Sequence, residues 1–198
     1  MHRVLVTLFL IAMTSTLTVT VASQTQPSSE ISLVQSLIAQ RHFDKAIENL
    51  EQSLARDPAN AEAKTYLATA RVYRGRDYVK GMDTYADAFR AGGGASFLVF
   101  HSHEVTKMST DELTDYCRGW LHLRKGSVSF TSQDSDHGFK LTKAEISEFK
   151  ENRQKRLFHI KTADKNFNFS PRSHDEQEVL LIVVVYQKFV GQPDSAVR

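Results

Sequence analysis

One pattern is stated twice between Phe43 and Phe89. It reads Phe43-x-x-Ala46-x-x-x-Leu50-x-x-Ser53 and then Tyr78-x-x-Gly81-x-x-x-Tyr85-x-x-Ala88. The offset is constant, since 78−43, 81−46, 85−50 and 88−53 all equal 35. An aromatic leads, and small and large residues alternate at helical spacing. Small side chains let two helix backbones approach closely, and the large ones fill the space beside them. Few folds demand this twice at one period; paired helical hairpins do. Pro58 and Asn60 break the chain between the hairpins, and Gly75-Arg76-Asp77 breaks it within the second.

A helical hairpin repeated at roughly 34 residues is the mark of the tetratricopeptide repeat (TPR). Ala46, Leu50, Ser53 and Pro58 resemble that family's small, large, small and proline positions. Leu67, Ala68, Gly81, Tyr85 and Ala88 resemble the same positions in a second copy. Gly81 replaces the usual alanine, and the stretch from Glu30 to Gln40 lacks the usual aromatic. Only two copies are visible, and about three are needed for stability. These helices must therefore pack on another part of the chain. The family's peptide groove corresponds to Ile31, Gln35, Thr65 and Thr69, which lack the charge used to clamp a carboxylate. The resemblance makes Thr65, Thr69 and Tyr73 the candidates for contact with a protein partner.

The chain opens on His2-Arg3, an apolar run from Val4 to Ala12 and a softer run to Ala22. Val21 and Ser23 suit signal-peptidase cleavage before Gln24, giving a signal peptide over residues 1–23. An uncleaved anchor over residues 4–22 is the alternative; its five threonines and one serine make it a poor span. Export to the periplasm or the medium follows, with membrane contact only if the segment is retained.

The texture changes after Gly92-Gly93-Gly94, which reads as a linker over residues 92–95 between a helical domain (24–91) and a second domain (96–190), with 191–198 as a tail. Alternating runs at Ser96–Val105, Cys117–Arg124, Val128–Phe130, Phe139–Leu141, Phe158–Ile160 and Phe167–Phe169 predict antiparallel strands. Lys125-Gly126 predicts a hairpin turn. Thr142 and Glu145 predict a helical cap, as do Ser109 to Glu112. Val179 to Val190 is rich in β-branched residues, yet Ser173 to Glu176 offers a cap and first-turn acids, so a C-terminal helix is predicted, burying Val179, Ile182, Val183, Tyr186 and Phe189. The fold class is α+β: TPR-like hairpins, then a small antiparallel sheet or barrel capped by a helix. The second half resembles the pleckstrin-homology (PH)-like fold, and more narrowly a β-domain that follows TPR helices in exported bacterial proteins. The residues carrying it are His101-x-His103, Cys117-x-Gly119-x-Leu121, His137-x-Phe139, Phe158 to Lys161 and Asn166 to Pro171. It implies no catalytic residue.

Lysine and arginine exceed acids by 25−23, or +2, which lacks the basic footprint of broad nucleic-acid binding. One cysteine excludes an intramolecular disulfide. His101, His103, Cys117 and His137 are the candidate metal ligands, being of zinc type in kind but matching no tight spacing motif. The plainer reading makes them strand and turn residues with a buried thiol. Gln133 to Gly138 has a calcium-loop look that fails at the sixth position, where Phe139 replaces glycine. Lys150, Arg153, Lys155 and Arg156 form a basic cluster suited to solvent or an acidic surface. The composite expectation is a non-enzymatic exported scaffold without a cofactor, binding another protein. The alternative is a module whose β-domain binds a ligand, metal or lipid headgroup.

Overall fold

The structure, a computed structural model, describes residues 29–103, 116–133 and 137–191. The signal segment, the cap at Ser109 to Glu112 and residues 134–136 lie outside the described residues. Four helices come first: α1 (Ser29–Ala39), α2 (Phe43–Arg56), α3 (Ala61–Gly75) and α4 (Tyr78–Arg90). The side chain of Asn60 accepts from Ala63 N–H and starts α3, and Asp77 accepts from Lys80 N–H and starts α4. Each bond satisfies a donor that the helix leaves unpaired. Ala46, Leu50, Ser53, Gly81, Tyr85 and Ala88 are all buried. A Cβ on Gly81 would stand 3.2 Å from a Val72 methyl of α3. The small residues thus sit where helices cross.

Seven strands follow among the described residues: β1 (Gly94–Ser102), β2 (Tyr116–Arg124), β3 (Ser127–Ser132), β4 (Phe139–Thr142), β5 (Glu148–Asn152), β6 (Leu157–Lys161) and β7 (Asn166–Pro171). Every pairing is antiparallel, and the order is β4-β3-β2-β1-β7-β6-β5. β4 and β5 are the two ends, so the sheet is open and the expected barrel closure is absent among the described residues. Between them the chain makes a 3₁₀ turn, Lys143–Glu145, held by a reciprocal cap between Thr142 and Glu145. α5 (Glu176–Val185) closes the fold and continues as a π-helical turn, Tyr186–Val190. Its cap is Asp175, whose side chain accepts from Gln177 N–H, two residues later than the predicted Ser173. Ser173 instead accepts from Asp175 N–H. Leu181, Val185 and Val190 are buried beside the predicted stripe, because α4 and the sheet enclose the helix on more than one side.

The glycine segment is not a spacer. Gly94 and Ala95 are the first residues of β1, and Ala95 is fully buried. A Cβ on Gly93 would lie 2.5 Å from the Ala61 carbonyl oxygen, and one on Gly94 only 2.1 Å from that of Leu123. Glycine is needed so that β1 can approach α3 and β2 at once. Two apolar clusters result. Leu98 and Trp120 pack with α1, α2 and α3. Phe97, Val99 and Leu121 pack with α4, α5 and the inner face of the sheet.

Candidate functional site

The inner face of β1 carries Phe97, Val99 and His101, since side chains two apart along a strand share a face, and His103 follows in the bend just after the strand. β2 pairs with β1 so that Cys117 lies directly opposite His101. The ligand atoms of His101, His103 and Cys117 all lie within 4.8 Å of one another. Cys117 Sγ is 3.7 Å from His101 Nδ1. Tetrahedral zinc, with bonds of about 2.0–2.1 Å to nitrogen and about 2.3 Å to sulfur, spaces its ligands at about 3.4 Å for N···N and about 3.6 Å for N···S. The Cys117–His101 separation of 3.7 Å already matches that spacing, whereas separations of up to 4.8 Å elsewhere in the set would have to contract by as much as about 1.4 Å. The fourth predicted residue is also present: His137 Nδ1 is 3.0 Å from His103 Nε2, with the two rings edge to face. Three of the four sequence candidates therefore meet, and His137 touches the set through His103.

The surroundings suit neutral imidazole. His101 is 9 % exposed and lies against Phe130, Phe167 and Phe169, with ring centroids 5.4, 5.9 and 4.9 Å away. Burial, then the nearby His103 and His137, lower its pKa to about 4. Neutral imidazole offers the lone pair that a metal takes. Cys117 is 2 % exposed, so its thiol is shielded from bulk solvent.

The predicted partner residues are used differently. Thr65 and Thr69 are fully buried, and their hydroxyls and that of Tyr73 bond to β1. Gly94 N–H donates to Thr65 Oγ1 at 2.9 Å, Thr69 Oγ1 donates to Ser96 O at 2.9 Å, and Leu98 N–H donates to the Tyr73 hydroxyl at 2.9 Å. β7 pairs with β1 only from Val99 onward, which leaves these backbone groups of β1 without a strand neighbour. Four residues of helix rise about 6 Å and two of strand about 6.7 Å, so hydroxyls at every fourth helical position match alternate strand residues. Of the residues expected to meet a partner protein, Thr65 and Thr69 are buried against the chain's own β1, and Tyr73 bonds to β1 through its hydroxyl.

A second polar centre was not foreseen. Glu178, in the first turn of α5, is 1 % exposed. The Tyr73 hydroxyl donates to its Oε1 at 2.8 Å, and Ser173 donates to its Oε2. Burial drives its pKa up to about 7, against the two hydrogen bonds that lower it. The available signal was an acid beside Val179 on the apolar stripe of α5, read there only as a favourable first-turn charge.

No family model matches the chain. No curated protein matches it either. Solved structures do. One is the C-terminal domain of an unknown protein from Leishmania infantum, at 15% identity and a TM-score of 0.34, covering 47% of this chain and 82% of that one. Another is the N-terminal PH domain of human ARAP2, at 14% identity and a TM-score of 0.32, covering 51% of this chain and 87% of that one. The second is of the type expected for the β-domain; neither bears on what the chain binds. No helix among the described residues is long and apolar enough to cross a membrane.

Proposed function

We propose that this is an exported, non-enzymatic binding protein, TPR-like in its helices and PH-like in its sheet, whose β-domain holds one divalent metal ion of zinc type. The observation that carries this reading is the meeting of His101, His103 and Cys117 within 4.8 Å across two paired strands. A thiolate with imidazoles is a donor set that favours zinc over harder cations. His137 would then either orient the His103 ring or rotate to supply a further nitrogen. With three to four protein ligands and an aromatic shell, the site suits structural retention more than turnover. Contact with another protein is a second reading, supported by an outer groove of about 390 Å³ between α3 and α4 lined by Lys64, Leu67, Arg71, Asp83 and Asp87.

Cobalt titration of the full chain tests the metal. The expected result is one equivalent bound, with the near-ultraviolet charge-transfer band that a cobalt–thiolate bond gives. Cys117→Ser should abolish that band, and His101→Ala should weaken zinc in chelator competition by at least about tenfold, as loss of a ligand does. Equal metal affinity in the wild type and both variants would overturn the assignment.

A further inference from the structure

A cleft of about 60 Å³ opens where the turns at the ends of α1 and α3 meet the β7–α5 connection. Its walls include Ile38, Phe43, Tyr73 and Leu98, and Glu178 lies on it. Three arginines, Arg41, Arg76 and Arg172, line it from three separate segments, and all three are exposed. Arg172 is tied down by donating to the Ala39 carbonyl at 2.6 Å. Elsewhere on the helices, Arg56, Arg71 and Arg74 pair with Glu30, Glu51 and Asp44. Arg41 and Arg76 make no ion pair among the described residues. Both also hold left-handed backbone angles, with φ of 64° and 49°, which turn the chain at the cleft's edge. The cleft thus combines an apolar and aromatic wall with two cations that no carboxylate of the described chain satisfies.

We propose that this cleft binds a short-chain carboxylate of about propionate size, its hydrocarbon tail against Phe43, Tyr73 and Leu98 and its carboxylate between Arg41 and Arg76. The size follows from the volume: about 10–15 Å³ of cavity holds one water-sized group, so about 60 Å³ admits about five, the number of non-hydrogen atoms in propionate. The charge follows from the arginines, whose planar forks match a carboxylate. An apolar cation is excluded by the same rim, and an inorganic oxyanion would leave the aromatic wall without a partner. The proposal is independent of the metal site, whose ligands lie outside this cleft.

Amide chemical-shift titration of the full chain with sodium propionate, at constant ionic strength, reads the result directly. Saturable shifts are expected at Phe43, Tyr73, Tyr78 and Leu98 in the millimolar range. Arg41→Gln with Arg76→Gln should weaken binding at least about tenfold, as the loss of charge-assisted hydrogen bonds does. Propionamide, isosteric and uncharged, should produce no saturable shift in the wild type, and this arm needs no variant to fold. The proposal is overturned if propionate gives no saturable shifts, if propionamide binds equally, if the double variant is unaffected, or if inorganic phosphate saturates the same amides more tightly.

Discussion

Replacing Glu178 by glutamine should reshape how stability depends on pH. In the folded chain this carboxyl titrates near 7, raised by burial from 4.5. An acid whose folded pKa exceeds its unfolded value keeps its proton in the folded state across the interval between them. Its contribution is therefore complete below about 4.5 and is lost as pH rises through about 7. At 1.36 kcal/mol per unit, that interval amounts to on the order of 3 kcal/mol. Two histidines, His101 buried and His122 half-buried, work in the opposite direction. His101 and His122 have pKa values lowered to about 4 and about 3 by burial, so their contributions grow as pH rises toward the unfolded value of 6.5. The wild-type curve alone thus mixes both signs, and the difference between wild type and Glu178→Gln isolates the acid. Glutamine remains neutral and can keep contact with both Tyr73 and Ser173. Urea unfolding of the two proteins, from pH 4.5 to about 8, should show the wild type losing about 3 kcal/mol relative to the variant. A difference that stays constant over this range would refute the account of a proton held by burial.

Three further outcomes follow from the packing. Gly94→Ala drives a methyl to 2.1 Å from a backbone oxygen and should cost at least about 3 kcal/mol or prevent folding, whereas Gly75→Ala meets nothing within 4 Å and should change thermal stability little. Thr65→Val removes the acceptor for the buried Gly94 N–H and should cost about 1–3 kcal/mol in denaturant. Asn60→Ala removes the cap of α3 and should cost about 1 kcal/mol by the same measurement.

Local chemistry made several elements readable. The small residues at Ala46 and Gly81 announced the helix crossings, and Lys125-Gly126 announced the β2–β3 hairpin, where Gly126 has φ of 73°. The final helix was readable because acids and a cap outweighed β-branched residues whose preference is set largely by surroundings. Long-range pairing was not readable. Nothing local places Cys117 opposite His101, since that register is set between strands separated by residues 103–115. The triple glycine looked like a spacer because close approach and flexibility select the same residue. Thr65 and Thr69 looked available because the strand they serve lies 27 to 29 residues further on.

The hydroxyls of α3 make a helix stand in for a missing β-neighbour. A half-bare strand at the heart of a sheet is an invitation to any extended chain that drifts past. Here that invitation is withdrawn from within, by three side chains on a rigid rod, without the cost of adding an eighth strand. Loosening α3 would therefore do more than soften a helix: it would hand other copies of the chain a template for fibrous self-association.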